Sequence, residues 1–156
     1  MLRVDEHLAS APVDVCFRVG ADVERWPQIL PHYRWVRFRQ RRDFATGVVE
    51  MAAWRSFGIM NYPTWWVSKM WHDADAPAVY YEHVEGITSR MVVRWEFQAR
   101  GAQTLIRVVH EWEGPRWPLI GRLAASAVIG PGFISAIAQR TIAGVAEEAQ
   151  VQAARR

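Results

Sequence analysis

The segment Arg90–Gln98, which reads RMVVRWEFQ, alternates apolar and polar residues along its length. Because successive side chains of a strand point to opposite faces, this alternation predicts a β-strand with one buried and one solvated face. Met91, Val93, Trp95 and Phe97 share the predicted buried face. Such a strand is typical of an antiparallel sheet that has a single apolar side.

Five more segments of similar character surround this one. The segment Thr104–Trp112 places Ile106, Val108, His110 and Trp112 on one face, and Gly101 marks the turn before it. With Ser89–Ala99, six consecutive strands are predicted, and the others are Tyr33–Arg41, Thr46–Phe57, Ile59–Trp71 and Ala78–His83. Connections this short require antiparallel pairing of neighbouring strands.

Helical patterns lie on either side of the strands. A first strand over Leu2–Leu8 is followed by a short helix over Val13–Gly20, and Asp22 is the predicted N-cap of a second short helix that ends at Leu30. A long apolar helix is predicted from Pro118 to Ala149, with an interruption at Gly130-Pro131-Gly132. A helix of that length can cross the concave side of a curved sheet, and the gap between them forms a pocket.

Composition limits the class of protein. The chain has 156 residues, of which 51% are hydrophobic, so we expect one ligand-binding domain over residues 1–150 and a tail over 151–156. An acidic pair, Asp5-Glu6, precedes any apolar run, which predicts that there is no signal peptide and that the protein is cytoplasmic. The apolar stretch Leu123–Ala138 is too short to span a bilayer. Cys16 is the single cysteine and is expected in the core.

Charged and metal-binding patterns are weak. The net charge is +3, and a basic stretch over residues 34–42 is best explained as a solvated outer face of the sheet, although phosphate or anionic headgroups are an alternative. We expect no nucleic-acid partner. His72 and His83 lack a cysteine partner and ligand-like spacing, so no metal and no cofactor is predicted. The sequence leaves open whether the protein is a homodimer.

The order of elements resembles the helix-grip fold of the START-like (SRPBCC) superfamily over essentially the whole chain. Within it, the segment Asp22–Tyr33, DVERWPQILPHY, resembles a motif of polyketide aromatase/cyclases in which a Trp-Pro pair precedes a pocket tyrosine, and Met91–Phe97 resembles a strand of the same group. The order of elements also resembles that of coenzyme Q-binding proteins, which belong to the same superfamily. The resemblance implies an α+β fold: a seven-stranded curved antiparallel sheet, two short helices and one long C-terminal helix over a ligand cavity.

One strand departs from the cyclase pattern. Those enzymes carry Trp-x-Ser-x-Arg, in which the arginine is proposed to act on the polyketide, whereas this chain has Trp66 to Met70, with Ser68 retained and Met70 in place of arginine. Arg55 on the adjacent strand would replace that arginine if its side chain faces inward. If the other face is inward, Trp54 lines the pocket instead, and the pattern slightly favours Trp54.

Two functions remain open from the sequence. In the first, the protein is cyclase-like, and Tyr33, Ser68, His110 and Arg55 are the candidate catalytic residues that steer proton transfers. In the second, it is a non-enzymatic carrier of a lipid or quinone. In both, the predicted ligand is a hydrophobic, ring-containing small molecule, because many of the expected lining residues are aromatic. The candidate ligand-binding residues are Trp26, Trp54, Trp66, Met70, Met91, Val93, Trp95, Val108, Trp112, Phe133 and Ile137.

Overall fold

The computed structural model describes residues 1–57, 59–114 and 131–156. Within these ranges the chain forms one sheet of seven strands, three α-helices and a 3-10 turn. The elements are β1 (Leu2–Ala9), α1 (Val13–Ala21), the 3-10 turn (Val23–Arg25), α2 (Trp26–Ile29), β2 (Tyr33–Asp43), β3 (Thr46–Phe57), β4 (Met60–Asp73), β5 (Ala78–Gly86), β6 (Val92–Arg100), β7 (Gln103–Glu111) and α3 (Pro131–Ala154).

The strands form an antiparallel sheet in the order β1-β7-β6-β5-β4-β3-β2. Strands β2 to β7 follow one another as hairpins, while β1 pairs with β7, so the first and last strands of the chain lie side by side. Irregular register between β2 and β3 and between β4 and β5 marks bulges, which increase the local twist and bend of a sheet. The predicted α+β helix-grip fold is confirmed.

The helices cover the apolar side of the sheet. Helix α1 begins after Pro12, whose carbonyl accepts hydrogen bonds from the amides of Val15 and Cys16. Helix α3 contacts β1, α1 and α2, and Gly144 lies so close to Leu30, directly after α2, that it leaves no room for a Cβ atom. Cys16 is fully buried, as expected for a core residue. In the described part of the chain, no helix has the length and hydropathy that crossing a membrane requires.

The ends of several elements differ from the prediction. Asp22 precedes the 3-10 turn, but its side chain makes no capping hydrogen bond, and α2 is a single turn of four residues. The long helix, predicted to end at Ala149, continues to Ala154, and Ala153 packs against the core. The predicted helical stretch from Pro118 to Gly130 and the turn at Gly58 lie outside the described residues, and α3 is described from Pro131 onward.

Arginines of the basic stretch on β2 form ion pairs with glutamates of other strands on the outer face of the sheet. Arg37 Nε lies 2.8 Å from one oxygen of Glu50, and Arg39 Nη2 lies 3.1 Å from the other. Arg39 also bonds Glu85, and Trp65 Nε1 donates to Glu50 at 2.7 Å. The Arg39 hydrogen bond, with those of Arg37 and Trp65, lowers the pKa of Glu50 to about 2. These arginines are therefore paired within the molecule, as are Arg41 and Glu24.

Candidate functional site

A pocket, here called the inner cavity, lies between α3 and the concave side of the sheet. Its volume is about 70 Å³. Strands β2 to β7, α2 and α3 all contribute to its walls, since alternate residues of each strand face inward. The lining residues are Trp26, Tyr33, Met51, Arg55, Trp66, Tyr81, His83, Met91, Val93, Trp95, Val108, His110, Ile134, Ile137, Ala138 and Thr141.

Aromatic rings form one connected wall of the inner cavity. The Trp26 ring lies 5.1 Å from Tyr33 and 5.5 Å from Trp95, and the Tyr33 ring lies 6.2 Å from Trp66. Trp26 is held in place because its Nε1 donates to the carbonyl of Val19 at 3.2 Å. Flat rings at these angles offer both edges and faces to a ligand, which suits a molecule that itself contains rings.

Arg55, and not Trp54, faces the inner cavity. Arg55 is 7% exposed and lines the cavity, whereas Trp54 is 40% exposed. The preference for Trp54 is therefore wrong. Residues 51–55 read Met-Ala-Ala-Trp-Arg, in which small apolar residues occupy both faces, so the sequence there lacks a clear alternation. The pairing of β3 with β4 decides the face. Met51 pairs with Trp66 of β4, and Arg55, four residues after Met51, lies on the same face of β3.

Arg55 supplies a buried positive charge. Its Nε donates to Thr64 Oγ1 at 3.2 Å, and the guanidinium lies 5.9 Å from the centre of the Trp66 ring. Burial lowers the pKa of Arg55 to about 10, against the opposing effect of the Tyr62 and Tyr33 hydroxyls. Arg55 is consequently still charged at neutral pH, in a wall made mostly of apolar and aromatic groups.

Tyr33 is part of a short polar chain that leads to α3. Burial raises the pKa of Tyr33 to about 12, although a hydrogen bond with Thr141 and the charge of Arg55 act in the opposite direction. Thr141 in turn donates to the carbonyl of Ile137 at 2.8 Å and lies 2.8 Å from His32 Nε2. Because the Thr141 hydroxyl has only one proton, His32 Nε2 must be the donor in this pair.

Two histidines line the inner cavity in their neutral form. Burial, with the nearby His110 and Arg55, lowers the pKa of His83 to about 3. Burial likewise lowers the pKa of His110 to about 4, with Asp5 opposing the shift and Arg55 and Arg3 adding to it. His83 stacks on Trp66 at 5.9 Å, and its Nδ1 lies 2.7 Å from Thr88 Oγ1. Both imidazoles can therefore exchange hydrogen bonds with a ligand without carrying charge at pH 7.

Two buried polar atoms beside the inner cavity lack hydrogen-bond partners in the described part of the chain. They are the hydroxyl of Tyr81 and Nδ1 of His110. Burial raises the pKa of Tyr81 well above its ordinary value, so its hydroxyl stays protonated. An unsatisfied buried polar atom costs about 1–3 kcal/mol, which a polar group of a ligand would offset.

Most of the predicted site residues converge, and a few do not. Those on the cavity wall are Tyr33, Arg55, His110, Trp26, Trp66, Met91, Val93, Trp95, Val108 and Ile137. Ser68 shares the face of Trp66, but this fully buried side chain is not part of the wall. Met70 is buried in the core and is not part of the wall. Trp112, directly after β7, also lies outside the wall, and its Nε1 donates to the carbonyl of Ser89. The side chain of Phe133 lies outside the described part of the chain.

Several lining residues were not predicted from the sequence: Met51, Tyr81, His83, Ile134, Ala138 and Thr141. A signal existed for two of them, because Val79, Tyr81 and His83 alternate along β5 and all three are buried. On α3, Ile137 was predicted, whereas Ile134, Ala138 and Thr141 were not, since the helix is apolar on more than one side. Among the residues that the structure describes, His, Cys, Asp and Glu side chains form no group of three that resembles a metal site.

Comparisons with known proteins agree with this geometry. A model of the family described as polyketide cyclase/dehydrase and lipid transport matches residues 9–128. No curated protein sequence matches the chain.

Solved structures share the fold at low sequence identity. TTHA0849 from Thermus thermophilus aligns with a TM-score of 0.82 at 17% identity, over 97% of this chain and 99% of the other. The Zhui aromatase/cyclase from Streptomyces sp. R1128 aligns with a TM-score of 0.78 at 19% identity, over 96% and 94%. A START superfamily protein from Mycobacterium smegmatis aligns with a TM-score of 0.67 at 13% identity, over 99% and 97%. The predicted START-like relationship is confirmed.

Proposed function

Since the chain belongs to the family of polyketide cyclases, dehydrases and lipid-transport proteins, we propose that it binds a hydrophobic, ring-containing small molecule in the inner cavity. The observation that carries this proposal is the connected wall of Trp26, Tyr33, Trp66 and Trp95 around the buried cation Arg55. Small-molecule sites usually combine an apolar lining with a few polar groups that fix orientation.

The chemistry of the cavity fits a polyketide-like ligand. Arg55 presents a fork of donors that would hold a carbonyl or an enolate oxygen, and it takes the place of the arginine that is missing at Met70. The protonated Tyr33 hydroxyl and the neutral His110 ring would orient further oxygens. In a cyclase-like reaction these groups would hold a flexible chain in a folded arrangement, and positioning would supply most of the acceleration.

One observation favours the second candidate, a carrier without catalysis. General acids and bases work best when their pKa is close to the working pH. The pKa of Tyr33 is raised to about 12 and that of His110 is lowered to about 4, so both lie far from neutrality in the unliganded cavity. A protein that only holds a quinone or lipid needs hydrogen bonds from these groups and no proton transfer.

Native mass spectrometry of the purified protein, with a denatured extract measured in parallel, tests the proposal. We expect a non-covalent adduct whose released molecule contains rings. A polyketide-like polycycle would favour the cyclase function, and a quinone would favour the carrier. A protein that is empty and also fails to bind the uncharged dye N-phenyl-1-naphthylamine would contradict ligand binding in this cavity.

Replacing Arg55 is expected to weaken binding of an oxygen-bearing ligand. Arg55→Met keeps a long side chain but removes the charged donors, and a hydrogen bond to a charged group contributes about 1.5–3 kcal/mol. The affinity for a hydroxylated anthraquinone should fall by about tenfold or more, measured by fluorescence titration. Arg100→Met, which changes an exposed arginine on β6, is the matched control. An unchanged affinity of Arg55→Met for this ligand would contradict a role of the Arg55 side chain in binding.

A further inference from the structure

A second space lies on the other side of one wall of the inner cavity. This outer groove has a volume of about 410 Å³ and runs past the end of β3, between the β3–β4 hairpin and α3. Its lining residues are Pro31, His32, Trp54, Ser56, Asn61 and Arg140. The outer groove is thus larger than the inner cavity and is lined mainly by polar groups.

A hydrogen-bonded pair lies between the two spaces. His32 lines the outer groove, Thr141 lines the inner cavity, and their side chains meet at 2.8 Å. The Thr141 hydroxyl already donates to the Ile137 carbonyl, so it can stay bonded to its own helix if the His32 ring turns aside. His32 and Thr141 therefore lie in the wall that separates the groove from the cavity.

The charge of the outer groove is positive. Arg140 lies on its wall, and the guanidinium of Arg34 stacks 4.6 Å from the centre of the Trp54 ring. In the described part of the chain neither arginine forms an ion pair, whereas Arg37, Arg39 and Arg41 all do. The groove wall includes no aspartate or glutamate among the described residues, and Ser56 and Asn61 add neutral polar groups.

The size of the inner cavity also indicates a ligand that extends beyond it. Pockets that enclose drug-sized ligands usually measure roughly 300–1,000 Å³, so a cavity of about 70 Å³ has to widen to admit a ring system and leaves no room for the polar end of such a ligand. Met51 and Met91 are flexible enough to enlarge the cavity somewhat. A ligand that keeps its ring system inside and a polar end in the groove would use both spaces.

We propose that the outer groove is an anion subsite: it holds the carboxylate or phosphate group of an amphipathic ligand whose ring system occupies the inner cavity. This inference rests on the proposed function, because it assigns a ligand class to the same cavity. Arg140 contacts the anion directly, Arg34 adds positive charge from the Trp54 side, and the His32–Thr141 pair opens to let the ligand pass between the two spaces.

Two dyes with the same ring system test the subsite. The dye 8-anilinonaphthalene-1-sulfonate differs from N-phenyl-1-naphthylamine only by its sulfonate. We expect the sulfonated dye to bind the wild-type protein more tightly and the two dyes to compete. Arg140→Met should weaken the sulfonated dye about fivefold, as expected for a partly exposed charge pair, and the uncharged dye by less than about twofold. Arg34→Met should act in the same direction.

Arg155→Met is the matched control, because Arg155 is exposed directly after the end of α3 and lies outside the groove wall. If Arg140→Met weakens binding of both dyes equally, or of neither, the subsite is overturned and the proposed function still stands. A sulfonate held by Arg55 would leave the binding of both dyes unchanged in this variant. Failure of both dyes to bind would overturn both proposals. Displacement by 1-naphthoate or by 1-naphthyl phosphate identifies the preferred anion, and displacement by neither would contradict the subsite.

Discussion

Acidification from pH 7 to pH 5 is expected to destabilise this protein strongly. His32, His83 and His110 have pKa values lowered to about 4, 3 and 4 in the folded state, against 6.5 when exposed. Below pH 6.5 the unfolded chain therefore binds protons that the folded chain excludes, and stability falls until the pH reaches the folded values. Each histidine should cost on the order of 2 kcal/mol at pH 5, a large share of a typical total of about 5–15 kcal/mol.

Urea denaturation at pH 7, 6 and 5 measures this loss. His83→Asn removes one of the three groups while keeping a polar atom near Thr88, so the pH dependence should shrink by about a third. His7→Asn, which makes the same substitution at an exposed histidine on β1, is the control for the substitution itself. The carboxylate of Glu50, with a pKa of about 2, loses its ion pairs only in a lower range. Constant stability from pH 7 to pH 5 would contradict burial of neutral histidines.

Gly86→Ala is expected to reduce the free energy of unfolding by about 3 kcal/mol. Gly86 has φ of +98° at the end of β5, and an added Cβ would lie 2.5 Å from the Trp65 carbonyl oxygen and 2.9 Å from Trp66 Cα. A left-handed backbone costs a residue with a side chain about 1–2 kcal/mol, and contact with backbone atoms that cannot move aside adds to this. Displacement of Trp66 would also disturb the cavity wall.

Gly101→Ala separates these two effects. Gly101 has φ of +63°, but no atom lies within 4 Å of its ideal Cβ position, so only the conformational cost of about 1 kcal/mol should appear. Urea denaturation of both variants gives the comparison. Equal losses in the two variants would show that the close approach of β4 at Gly86 contributes nothing.

The sheet could be predicted from the sequence because its strands carry a strict alternation. Val93, Trp95 and Phe97 on β6 alternate with charged residues, and the predicted face proved to be the buried one. At the end of β3 the alternation fails, since Ala52 and Ala53 are both buried and carry little information about direction. The inward placement of Arg55 depends on the pairing with β4, which residues of β3 alone cannot specify.

The part of the site on α3 was harder to predict for a different reason. Only a few helix positions reach the inner cavity, and which ones do so depends on how the helix crosses the sheet. Thr141 looks like an ordinary polar residue in the sequence, yet it joins Tyr33 to His32 across the wall of the inner cavity. A long-range packing angle decides this contact, and local periodicity does not contain that angle.

The pairing of β1 with β7 has a consequence for how the chain folds. Thr104 donates a hydrogen bond to the carbonyl of Ala11 from 93 positions away, so β1 takes its place only after a very long loop has closed. Strands β2 to β7 are neighbours both in the chain and in the sheet, so pairing them closes only short loops. Because non-local strand pairing slows folding, we expect attachment of β1 to be late and folding to take milliseconds to seconds. Until that step the backbone edge of β7 that β1 covers stays open to pairing with other chains.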